Sequence, residues 1–135
     1  MTRIWLTLLA TMHGGVAMAA DGMVEIRRGA DGILFGSCVP SLLLDNKTDR
    51  SLDYVQVDIE FVLRDGRRAT LEFKSRYRHG VERPIAAGAS ATLVVHADES
   101  LPLRAACDAI VSTRVASVAC EIADRSCSQT VSVKP

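Results

Sequence analysis

Residues 55–75 read VQVDIEFVLRDGRRATLEFKS, and this stretch decides the class of the fold. Val55, Val57, Ile59, Phe61 and Leu63 point one way while Gln56, Asp58 and Glu60 point the other, the period-two pattern of a half-buried strand. Past the turn, Ala69, Leu71, Phe73 and Ser75 alternate with Arg68, Thr70, Glu72 and Lys74, which predicts its antiparallel partner. Parity selects the turn. A two-residue turn at Asp65-Gly66 would set Phe61 against Thr70 and Ile59 against Glu72, driving charge onto the buried side. A type I turn through Arg64 and Asp65, with Gly66 as a left-handed bulge, instead pairs Phe61 with Ala69, Ile59 with Leu71 and Val57 with Phe73. That register sets Asp58 opposite Glu72 on the outer face, a like-charge pair for Lys74 or Arg76 to relieve diagonally.

Working outward, residues 24–28 and 33–35 are short β-type runs separated by Gly29 and Asp31-Gly32. Residues 41–44 form another run, ending in the polar turn cluster Asp45-Asn46-Lys47-Thr48-Asp49. Downstream, residues 84–88 read as a loop, and Ala91, Leu93 and Val95 share one face of a strand over 91–96. Ser100 offers a helix cap, with Leu103, Ala106, Cys107 and Ile110 at helical spacing behind it, so one short helix is expected here. Residues 111–122 and 128–133 are expected to close the chain as two strands around Ala123-Asp124-Arg125-Ser126. Short strands at regular spacing, without strand–helix alternation, predict an all-β antiparallel β-sandwich of about seven strands, the helix preceding the last two.

Arg3, the apolar run 4–10 and the small residues flanking Met18 in Ala17-Met18-Ala19 have the form of a secretory signal peptide, with the cut placed after Ala19. The apolar run is well short of the roughly 18 residues that span a bilayer, so residues 1–19 are expected to direct export and residues 20–135 to form one domain without membrane insertion. Export leaves 15 basic and 16 acidic residues, because Arg3 is the one charge removed from the 16 of each sign in the chain; nucleic acid is not the expected partner. The expected location is periplasmic or secreted.

Cys38, Cys107, Cys120 and Cys127 all follow the cut, and an even count in an exported chain predicts disulfides. No CxxC spacing suggests a redox or paired-cysteine zinc site. A final hairpin centred on Ala123 and Asp124 puts Cys120 directly opposite Cys127, leaving Cys38 to meet Cys107; an immunoglobulin-like pairing of Cys38 with Cys120 is the rival. Beyond the export segment, His79 and His96 lack the spacing of metal ligands and the partners of a catalytic triad, so no catalytic residue, metal or cofactor is expected. Arg68, Lys74, Arg76 and Arg78 gather positive charge on and after the central hairpin, a candidate protein-binding face, although interspersed acids favour an ordinary solvated sheet surface.

The strings at residues 46–52 (NKTDRSL), 65–67 (DGR) and 85–91 (IAAGASA) resemble small bacterial envelope domains of the fibronectin type III type. Adding Cys38-Val39-Pro40, Cys107-Asp108 and Val118-Ala119-Cys120, nearly the whole exported chain resembles the interleukin-receptor-mimic (IrmA-like) family of small secreted proteins of Gram-negative bacteria. The resemblance implies a fibronectin type III/immunoglobulin-like sandwich, a strand-exchanged homodimer, a role in virulence and binding of host cytokines, and it transfers no binding residue. The function expected is therefore that of a non-catalytic protein-binding module. The alternative is a structural or assembly factor of the cell envelope or of a secretion or pilus system.

Overall fold

The structure is a computed structural model, and it describes residues 22–75, 83–95 and 103–135. The expected export segment, Arg76, Arg78, His79, His96 and the helix-cap Ser100 lie outside those residues.

Among the described residues ten strands build an all-β fold: β1 (Val24–Arg28), β2 (Gly32–Leu34), β3 (Ser37–Val39), β4 (Ser41–Asn46), β5 (Tyr54–Leu63), β6 (Arg68–Lys74), β7 (Ser90–Val94), β8 (Ile110–Ile122), β9 (Arg125–Ser126) and β10 (Val131–Lys134). Eight form one curled sheet in the order β10-β1-β4-β7-β6-β5-β8-β9, while β2 and β3 pair with each other in a second, two-stranded sheet.

The central hairpin follows from the alternation in its sequence. Phe61 pairs with Ala69, Ile59 with Leu71 and Val57 with Phe73. The Gly66 N–H donates to the Leu63 carbonyl at 2.9 Å and Gly66 takes φ +87°, the left-handed conformation the bulged turn requires. Val55, Val57, Ile59, Phe61 and Leu63 are all buried, and with Leu71, Phe73, Val24, Ile26, Leu42, Leu44 and Leu93 they make one continuous core. Each such side chain contributes about 1.5–3 kcal/mol by leaving water. Over the fully buried Phe61 lies the Arg28 guanidinium, 5.1 Å from the ring centre and held by Asp31 at 2.8 Å.

The outer face answers the like-charge pair Asp58 and Glu72 in its own way. The Gln56 amide donates to Asp58 at 3.1 Å and to Glu72 at 3.2 Å, the Ser117 hydroxyl donates to Asp58 at 2.7 Å, and Lys74 pairs with Glu72. A neutral amide bridging two carboxylates supplies both with donors.

Asn46 is the pin of the β4–β5 connection. Its buried side-chain amide donates to the carbonyls of Arg50 at 2.8 Å, Ile85 at 2.9 Å and Ala86 at 3.2 Å, while its oxygen accepts from the Thr48 N–H at 3.1 Å and the Thr48 hydroxyl at 2.6 Å.

Two expectations about the chain's second half are corrected. The expected helix is replaced, across its described part, by a three-residue 3-10 turn, Cys107–Ala109. Arg104 has φ +36°, which no helix accommodates, and although Leu103 is buried Ala106 is exposed, so the helical spacing does not correspond to one buried face. Residues 128–133 do not return along β8 either. The hairpin ends at β9, the chain passes through the 3-10 turn Ser128–Thr130, and β10 lies parallel to β1 with Val131 against Val24 and Val133 against Ile26.

Candidate interaction surface

The two disulfides organise the surface that stands out. Cys120 is bonded to Cys127 across the β8–β9 hairpin, whose turn places Ala123 and Asp124 at φ +48° and +59°. Cys38, buried in β3, is bonded to Cys107 at the start of the 3-10 turn, and the Cys38 N–H donates to the Ala105 carbonyl at 2.7 Å. The β2–β3 hairpin is thus stapled at its base to the segment anchored by buried Leu103.

The tip of that hairpin is Phe35-Gly36, with φ +49° and +76°, the pair of left-handed residues of a two-residue type I′ turn. Glycine is at home there. Phenylalanine is not, since a non-glycine residue in this region costs about 1–2 kcal/mol. No burial offsets that cost: Phe35 is 92% exposed, and Ile33 beside it is 77% exposed. An aromatic and an aliphatic side chain held in water on a rigid hairpin have the composition of an interface anchor.

A cleft of about 1040 Å³ adjoins the hairpin. Ile33, Leu34 and Val39 of the hairpin, residues 83–86 and the length of β7 line it. Among the described lining residues Lys74 and Arg83 carry charge, and both are cationic.

The charged face expected on the central hairpin is largely neutralised where it is described. Arg68 pairs with Glu60 at 3.1 Å, Arg114 shares the same carboxylate at 3.3 Å, and Lys74 pairs with Glu72. Arg76 and Arg78 lie outside the described residues. Asp31, Cys38 and Cys107 come together within 4.8 Å, but both sulfurs are committed to the disulfide and the Asp31 carboxylate to Arg28, so this is a structural cluster. At the Arg64–Arg67 turn the Arg67 side chain and backbone N–H both donate to Asp65, at 2.6 and 3.0 Å, and hold its carboxyl below the usual range.

Phe35 escaped the sequence reading because residues 33–35 were expected to form a strand; Gly36 was the signal that the chain turns there. The strand β3 likewise lay hidden between that glycine and Pro40.

No family model matches the chain, and no curated protein matches it in sequence. Among solved structures it is similar to IrmA from Escherichia coli, with a TM-score of 0.55 and 12% identity, over 82% of this chain and 90% of that one. At that identity the likeness speaks for a shared all-β fold and for nothing beyond it.

Proposed function

We propose that this protein is an exported, non-catalytic protein-binding module, built as a fibronectin type III-like sandwich, that grips its partner with the β2–β3 hairpin. The observation that carries the reading is Phe35, an aromatic kept 92% in water at a left-handed backbone position on a disulfide-stapled hairpin. Both the conformational cost and the exposed apolar area are offset if a partner covers the ring. The nearly balanced charge of the chain agrees with a protein ligand better than with nucleic acid.

The resemblance to interleukin-receptor mimics names host cytokines as the first ligands to test, and a strand-exchanged dimer as the form to look for. Residues 20–135, immobilised and presented with a cytokine panel, bind at least one member at micromolar or better affinity on this reading. Phe35→Ala weakens that binding by about 30-fold, the effect of losing an aromatic hot spot. The second reading, an envelope assembly factor, is favoured by the edge of β7, where among the described residues no strand pairs with Ser90 or Thr92; co-purification with outer-membrane or secretion machinery, and indifference to every cytokine, would select it.

A further inference from the structure

The β2–β3 hairpin puts almost nothing of its own into the core. Of residues 31–39 Cys38 alone is buried, and the two strands pair with each other in their own small sheet. The ties to the body include the Cys38–Cys107 bond, the Cys38 N–H bond to Ala105 at 2.7 Å and, where β1 leads into the hairpin, the Ser41 hydroxyl donating to the Ala30 carbonyl at 2.6 Å. One covalent bond thus holds the Phe35 hairpin against the rest of the molecule. An anchor presented in this way loses its preorganisation when that bond opens.

The same bond is the more accessible of the two bridges. Cys38, Cys120 and Cys127 are buried, whereas Cys107 is half-buried. A thiolate opens a disulfide by attacking one sulfur, so access decides which bridge opens and from which side. Cys107 Sγ is the sulfur within reach. The Asp31 carboxylate stands within 4.8 Å of both sulfurs, the Gly32 carbonyl oxygen lies 3.8 Å from Cys107 Sγ, and exposed Asp108 follows Cys107 in the chain. An incoming thiolate meets negative charge there, the more so when it carries a second negative group. Arg28 pairs with Asp31 and Arg64 donates to the Asp108 carbonyl, so the bias is modest.

We propose that Cys107 is a modification site, the sulfur at which a small uncharged or cationic thiol opens the long bridge and releases the Phe35 hairpin. The thiolate sulfur bonds to Cys107 Sγ, the Cys38–Cys107 bond breaks, and Cys38 departs with the electron pair and takes a proton from water. A second thiolate attacks the added sulfur, expels Cys107 as a thiolate and leaves with the first as their own disulfide, so two thiols supply the two electrons. The consequence for recognition rests on the reading of the hairpin as the binding element: the protein grips its partner with the bridge closed and releases it when the bridge opens.

The probes are cysteamine, 2-mercaptoethanol and 2-mercaptoethanesulfonate, which are cationic, neutral and anionic beyond the thiol. Each is applied to residues 20–135 under native conditions, with rates compared per thiolate. Acid quenching, alkylation of free thiols and peptide mapping by mass locate the products. The long bridge opens at least about tenfold faster than the short one, and the added thiol is found on Cys107 with Cys38 alkylated. Cysteamine acts about threefold faster than the sulfonate, a ratio kept small by screening at a solvated surface, and Asp31→Asn abolishes that preference. Chymotrypsin cleavage after Phe35, measured on the alkylated and desalted protein, rises with the opened fraction. If Asp31→Asn does not fold, the three thiols on the parent carry the charge test. Both bridges opening at one rate, an added thiol on Cys38, rates indifferent to thiol charge, or an opened long bridge with unchanged cleavage overturns the proposal. So does a threefold preference that survives in folded Asp31→Asn. No partner enters these measurements. Failure of every capture experiment therefore removes the binding reading and leaves the modification site standing, whereas a long bridge that resists all three thiols, with Phe35→Ala still weakening capture, does the reverse.

Discussion

Replacing Cys38 and Cys107 together with alanine removes the staple under the Phe35 hairpin, and its cost can be worked against an internal standard. The two bridges span sequence separations of 69 and 7 residues. In the loop-entropy model the long bridge stabilises by about 4.4 kcal/mol and the short one by about 2.5 kcal/mol. Their difference, about 2 kcal/mol, comes from loop length alone, so the constant of the model cancels. Packing narrows it slightly, because Cys120 and Cys127 are both buried and leave a void when truncated, whereas in the long bridge Cys38 is buried and Cys107 half-buried. Urea unfolding of the Cys38→Ala/Cys107→Ala and Cys120→Ala/Cys127→Ala proteins, each against the parent with separately fitted slopes, measures both losses. The first variant should also be cut faster by chymotrypsin after Phe35 under native conditions, since the Cys38 N–H bond to Ala105 is then a main remaining tie at the hairpin base. Equal losses in the two variants, or a larger loss from the short bridge, would refute the reasoning. Unchanged cleavage after Phe35 would show that the hairpin is held by something other than the staple.

Asn46→Ala deletes side-chain bonds to three carbonyls and to Thr48, while the Ile85 carbonyl keeps its bond from the Leu52 N–H; a loss of about 3 kcal/mol is expected, seen as a fall in Tm of roughly 10 °C. Gly66→Ala meets no atom within 4 Å of the new Cβ, so its expected cost of about 1 kcal/mol in urea unfolding is backbone strain alone, and a larger loss would mean the turn is built differently. The depressed carboxyl of Asp65 is fully ionised above the ordinary carboxylate range, where its bonds from Arg67 stabilise the turn; that contribution is lost as pH falls through the lowered folded value. NMR titration of Asp65 should show its midpoint rise toward the ordinary value in Arg67→Ala. Gln56→Leu removes the donor shared by Asp58 and Glu72 and leaves the two carboxylates facing each other, so a loss of about 1 kcal/mol is expected in urea unfolding at neutral pH.

The central hairpin was legible because its two faces differ in chemistry and parity admits one register. A single shift would have buried Glu72 in place of Leu71, and local sequence carries that constraint in full. The β8–β9 hairpin was legible from its turn and its cysteines, which lie within eight residues of each other. What escaped is non-local. Val131 and Val133 have the same alternation whether they return along β8 or cross to β1, and only the three-dimensional closure of the sheet selects the parallel partner more than a hundred residues away. The helix expected with Leu103, Ala106, Cys107 and Ile110 on one face failed because those residues do not share a face: Leu103 joins the core, Ala106 is exposed, Cys107 enters the disulfide, and Ile110 pairs with Leu63 as β8 begins. Phe35 breaks the rule that apolar residues read as strand interior, and that departure marks the candidate surface.

The most direct test compares residues 20–135 and their Phe35→Ala form in partner capture, with near-identical far-ultraviolet dichroism and Tm as the control for folding. The account predicts that an identified protein ligand, a cytokine or an envelope component, binds the parent and loses about 30-fold in affinity with the variant while the fold stays intact. Affinity unchanged within about twofold would contradict it, because the ring would then remain in water in the complex as it does in the free protein.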